Sequence, residues 1–139
     1  MYKHAGGRTF AVISSAVTLI AGTAPAFAQP AQEALPALRL ECGGIGLEES
    51  ERMRAEVAMH ALTLVFSTTE GGFVTDVATR VDDPLGDHRV ESSCGPIGQL
   101  DVPAPGRYRI TATYAGSTQE HWIELTPGGG ARLSLRWQE

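Results

Sequence analysis

The chain has 139 residues, enough for one domain, with 42% hydrophobic and 19% charged residues. This is an ordinary globular balance, and no apolar run approaches the roughly 18 residues that a membrane span needs. Eleven Lys and Arg stand against sixteen Asp and Glu, a formal charge of -5, the wrong sign for gripping a phosphate backbone. Nucleic acid is therefore not an expected partner, and collagen, coiled-coil, disordered-tail and multi-pass membrane classes are excluded by the same composition.

The N-terminus has the layout of an export signal. Lys3 and Arg8 give a positive start, Phe10 to Ile20 is apolar apart from Ser14, Ser15 and Thr18, and Ala26-Phe27-Ala28 is a small-x-small cleavage pattern. Cleavage is expected before Gln29, leaving a periplasmic or secreted chain with no membrane span. A lipid anchor does not fit, because the first cysteine, Cys42, follows Leu40-Glu41. Residues 1–28 carry two bases and no acid, so the remainder has nine bases, all arginine, against sixteen acids. Cys42 and Cys94 both fall in the exported part. In an oxidising compartment such an isolated pair favours a structural disulfide over a metal site, which needs further Cys or His at short spacing.

Residues 29–40 are rich in Ala and Pro and read as a flexible leader to a domain at 41–139. Gly43-Gly44-Ile45-Gly46 forces a turn. From Leu47 to His60 strong helix formers predict one helix, with Glu48, Glu49 and Glu51 at its dipole-positive start and Glu48 four residues ahead of Arg52. The hydrophobic period then changes from 3.6 to 2. Leu62, Leu64 and Phe66 alternate with their neighbours. After the Glu70-Gly71-Gly72 turn, Phe73, Thr75, Val77, Thr79 and Val81 form a second alternating run.

Asp82 to Gly86 reads as a loop, with short strands following at 87–93 and 97–102. From Arg107 to Tyr114 the alternation is clearest: Tyr108, Ile110, Ala112 and Tyr114 face inward, and the arginines and threonines outward. Another strand runs from Thr118 to Thr126, with Ile123 and Leu125 inward, and in the last Leu133, Leu135 and Trp137 share a face. About seven short strands separated by Gly and Pro predict an all-β antiparallel sandwich preceded by one short helix.

The segment Val102-Pro103-Ala104-Pro105-Gly106-Arg107-Tyr108-Arg109-Ile110-Thr111-Ala112-Thr113-Tyr114-Ala115-Gly116 resembles the P-x-G-x-Y-x-V-x-A-x-x-x-G strand of carboxypeptidase regulatory-like domains, which have a transthyretin-like β-sandwich. The layout of Cys42-Gly-Gly-Ile-Gly-Leu-Glu-Glu before a Leu62-Thr-Leu-Val-Phe66 strand is similar to small exported bacterial proteins described with that domain name. The resemblance covers roughly residues 42–137 and implies a non-catalytic accessory or binding module. The catalytic zinc domain of a carboxypeptidase has no counterpart in it.

Chemistry-bearing patterns are sparse. There is no Gly-x-Ser-x-Gly, Cys-x-x-Cys, His-x-His or His-Glu-x-x-His, so no catalytic, cofactor or metal residue is assigned. His60, His88 and His121 read as solvated or core-edge histidines. Asp82, Asp83 and Asp87 cluster in a loop that lacks the spacing of a calcium site, and Gly43 to Gly46 lacks the Lys and Ser/Thr of a phosphate loop. Trp122 is the exception. It has the opposite phase to Ile123 and Leu125, so its ring is a candidate surface contact for an envelope protein, peptide or glycan. The competing expectations are a small secreted hydrolase or protease inhibitor whose site assembles only in the fold, and strand addition at an exposed sheet edge.

Overall fold

The computed structural model describes residue 22 and residues 37–138. The expected signal segment and cleavage site, and most of the leader, lie outside the described residues. Among the described residues eight strands, β1 (Arg39–Gly43), β2 (Leu62–Thr68), β3 (Val77–Asp83), β4 (His88–Cys94), β5 (Ile97–Asp101), β6 (Gly106–Tyr114), β7 (Ser117–Leu125) and β8 (Ala131–Trp137), accompany one helix, α1 (Leu47–Ala55), and a 3-10 turn at Val57–Met59. The strands form two four-stranded sheets, ordered β1-β5-β2-β8 and β4-β3-β6-β7. The predicted all-β sandwich with a short helix is therefore present, with one more strand than the sequence suggests. None of the described helices is long and apolar enough to cross a membrane.

Two-layer packing follows from the alternation. Leu62, Leu64 and Phe66 of β2 and Leu135 and Trp137 of β8 face Val77 and Val81 of β3 and Tyr108, Ile110 and Ala112 of β6, and all are buried. The Phe66 and Trp137 rings stack at 6.2 Å. The Tyr108 hydroxyl donates to the Ala104 carbonyl at 2.6 Å, which pins the turn that launches β6. Tyr114, expected in the core, is half-buried at the margin, its ring 5.8 Å from that of Trp137.

Five strand pairs are antiparallel, but β8 lies parallel to β2, with Leu64 opposite Leu133 and Phe66 opposite Leu135. Period-2 patterning fixes which face a side chain takes and is silent on which strand lies beside it. Within the described residues β2 is buried on its inner face and largely on its outer one, where Thr63 and Ser67 are covered and Val65 is half-buried, and α1 packs on the neighbouring β5.

Three local expectations are corrected. The helix predicted to His60 ends at Ala55; Glu56 leaves helical geometry, and the 3-10 turn swings Val57 into burial. The run from Phe73 does not hold one face. Asp76 has φ +57, which breaks the extended chain, so β3 starts at Val77 while Phe73 is 58% exposed. The Gly43 to Gly46 turn begins inside β1, and Gly44 carries its real constraint: at φ +93, an added Cβ would stand 2.9 Å from the Ile97 side chain.

The two open sides of the sandwich are closed differently. Between β1 and β4, Cys42 and Cys94 form the expected disulfide, with Cα atoms 4.8 Å apart. Between β7 and β8, Gln119 donates to the Arg136 carbonyl and the Trp137 indole N–H donates to the Ser117 carbonyl.

Candidate functional site

The register of the β4-β3-β6-β7 sheet places Arg89, Asp82, Arg109 and Trp122 in one row across four strands, with Glu91, Arg80, Thr111 and Glu120 in the next. Side chains two apart on a strand share a face, so both rows stand on the outer surface, opposite the core-facing Val81, Ile110 and Ile123. Asp82, read from sequence as part of an acidic loop, is the last residue but one of β3, and its carboxylate is the hub of the face.

Arg89 Nε donates to Asp82 Oδ1 at 2.8 Å; Arg80 Nε and Arg109 Nη2 donate to Oδ2 at 3.0 and 3.1 Å. The Asp82 side chain is 9% exposed. Burial alone would raise its carboxyl, but the hydrogen bonds from Arg89 and Arg109 and the nearby Arg80 charge outweigh that and hold it below the ordinary carboxylate range. The same bond to Asp82 raises the Arg89 guanidinium above its usual value.

Trp122 is 43% exposed, as its phase predicts. The Arg107 and Arg109 guanidinium carbons lie 5.0 and 5.5 Å from its ring centroid, and its indole N–H donates to Glu120 at 3.1 Å. The ring is thus held by cations and one hydrogen bond while a large part of its surface stays open to solvent. Beside it runs a trough of about 450 Å³ whose lining includes Asp76, Ala78, Arg80, Glu91, Ser93, Thr111 and Thr113. Thr111, in that lining, pairs with Glu120, which holds the indole N–H, so the ring stands one strand and one row from the trough without lining it. The Thr111 hydroxyl oxygen is buried with no hydrogen-bond partner among the described residues. Hydroxyl, small and charged side chains together line a polar trench on the same face as the aromatic ring.

The other residues considered from sequence do not join this face as chemistry. His60 Nδ1 meets Asp101 Oδ1 at 2.9 Å, an acid-histidine pair, but its Nε2 faces Glu56 at 3.9 Å, where acyl transfer needs a hydroxyl or thiol. His121 meets the Gln119 amide oxygen at 3.2 Å, and His88 is exposed at the start of β4. Asp83 accepts from the backbone N–H groups of Leu85 and Gly86 and so caps the turn to β4, away from the Asp82 hub. Among the described residues no three His, Cys, Asp or Glu side chains are grouped to hold a metal. The hub was missed in sequence because Asp82-Asp83-Pro84-Leu85-Gly86-Asp87 has the composition of a loop. The available signal was parity: Asp82 is two residues from Arg80 and one from inward Val81, which places it on the face where Arg109 also points. Compared with known proteins, the chain matches no family model, no curated protein and no solved structure.

Proposed function

We propose that this protein is a non-catalytic binding module of the cell envelope, periplasmic or secreted, and that it holds a glycan against the outer face of the β4-β3-β6-β7 sheet. The observation that carries the reading is the half-open Trp122 ring, fixed by Arg107, Arg109 and Glu120 on the same sheet face as a trough lined by hydroxyls and charged groups, one strand and one row from its Thr111. An aromatic face stacks on the C–H side of a sugar ring, while hydroxyls, guanidinium and carboxylate groups pair with its O–H groups. The sandwich, the disulfide and the export signal expected at residues 1–28 suit an accessory role, as does the resemblance to carboxypeptidase regulatory-like domains.

Titrating N-acetylglucosamine oligosaccharides against the oxidised protein tests this through tryptophan emission. Trp137 is 3% exposed and Trp122 43%, so a saturable change reports on Trp122. Binding about tenfold weaker in Trp122→Ala, with unchanged folding, is the expected outcome, since a buried aromatic contact is worth about 1–2 kcal/mol. No saturable response, or equal binding by the variant, refutes the reading. Hydrolysis of the oligosaccharide would instead move the protein to the enzyme class.

A further inference from the structure

The opposite surface of the sandwich holds a second concavity, built where α1 lies across the outer face of the β1-β5-β2-β8 sheet. Met53, fully buried, fixes the helix on the sheet, and the Gln99 amide N–H donates to its carbonyl at 2.6 Å. Next to Met53, Arg54 emerges on the β8 side. The parallel register then sets Thr63 beside Arg132 and Val65 beside Ser134. The result is a groove of about 300 Å³ whose apolar floor is the half-buried Val65 flanked by the buried Val57 and Ile97, with Arg54 from α1 and Arg132 from β8 at its lining.

Three features distinguish this groove from ordinary surface. Among the described residues no Asp or Glu lines it, although acids outnumber bases in the chain. Among the described residues neither guanidinium has an acid partner; Arg54 has only the Phe73 ring, 5.8 Å from its carbon, and Phe73 is itself 58% exposed. Every polar side chain among the described lining residues carries a donor: Arg54, Arg132, Ser134, and the buried Thr63, whose hydroxyl oxygen accepts from Gln99 at 3.4 Å. Unpaired arginines beside aliphatic and aromatic surface are the composition of binding hot spots, and a wall of donors complements an anion.

We propose that this groove captures the free C-terminus of a peptide ending in an aliphatic or aromatic residue, the carboxylate between Arg54 and Arg132 and the side chain on Val57, Val65 and Ile97. A C-terminal residue is the peptide element that carries an anion and an apolar group within one residue's reach, and the volume suits one such residue. An internal Asp or Glu offers the charge without the apolar group, and a long acyl chain exceeds the space. The site lies on the other sheet from Trp122 and stands independently of the glycan reading.

The test is methyl and amide NMR of the oxidised protein titrated with acetyl-Ala-Ala-Leu carrying a free carboxylate, with its C-terminal amide, and with octanoate. Saturable shifts at Val57, Val65 and Ile97 are expected with the acid, about tenfold weaker binding with the amide, and about fivefold weaker binding in each of Arg54→Gln and Arg132→Gln, the scale of one partly exposed charge-assisted bond. Leu85→Ser, 90% exposed in the β3 to β4 turn, leaves binding unchanged. No saturable shift, amide and acid binding alike, or octanoate binding more tightly than the peptide overturns the proposal. So do dilution-dependent shifts at the same methyls without peptide, which would give the groove to a second copy of the chain. The comparison of acid with amide uses the unaltered protein, so a variant that fails to fold does not rescue the idea.

Discussion

Replacing Asp82 by Asn keeps the shape of the hub and removes its charge. Three arginines then converge on a neutral amide that can no longer accept from all of them. Four hydrogen bonds reach the carboxylate, from Arg80 Nε, Arg89 Nε, and Arg109 Nε and Nη2. Were the whole cluster buried, each charged bond would contribute about 1.5–3 kcal/mol. The arginine side chains are 36%, 57% and 30% exposed, however, and can return to water, which reduces each pair toward the surface value of about 1 kcal/mol or less. The expected net loss is about 2 kcal/mol near neutral pH, or about 10 °C in Tm for a domain of this size.

The sign with pH is fixed by the lowered carboxyl. A group held below its unfolded value stabilises above that value, about 3.9 for Asp, and loses its contribution as pH falls through the folded value. Urea unfolding of both proteins across the acid range should therefore show a gap that is full at neutral pH, narrows below about pH 4 and closes at still lower pH. A gap under about 0.5 kcal/mol at neutral pH, or one that persists unchanged into strong acid, would refute the assignment of Asp82 as the organising charge.

Three further outcomes follow from the packing. Reducing the Cys42–Cys94 bond, which spans 52 residues, costs about 4 kcal/mol by the chain-entropy argument and is read from urea midpoints with and without reductant. At Gln99, fully buried with its amide oxygen unpartnered among the described residues, Leu is tolerated within about 1 kcal/mol: the bonds to the Met53 carbonyl and the Thr63 hydroxyl are lost, but the unpartnered oxygen is removed and the Met53 carbonyl still accepts from Glu56. Ala at the same position costs about 2–3 kcal/mol by leaving a void under α1. Trp137→Phe keeps the stack on Phe66 but removes the bond to the Ser117 carbonyl; a loss of about 1 kcal/mol and faster amide exchange confined to β7 and β8 are expected.

How far the sequence carried the fold depended on the strand. In β6, Tyr108, Ile110 and Ala112 all take the interior as their alternation requires, and the outward Arg109 sits opposite the outward Trp122. The short β1 was hidden because only Leu40 and Cys42 mark its inner face and an Ala/Pro-rich stretch precedes it. Phe73 misled because a left-handed residue, Asp76, interrupts the run, and nothing in the apolar spacing signals that break. Trp122 was legible as exposed from its own strand. Its setting was not, since Arg107, Arg109 and Glu120 assemble around it through strand pairing. The groove beside α1 was still further from view, because it depends on a parallel neighbour and on which side of Met53 the helix presents Arg54.

The unequal fastening of the sandwich has a mechanical consequence. One margin is sewn by a covalent bond, while the opposite margin is held by two hydrogen bonds from Gln119 and Trp137. Heat, denaturant or tension should therefore part the layers as a hinge turning on the Cys42–Cys94 seam, admitting water first along Leu125, Leu135 and Trp137 while the interior next to the seam stays dry.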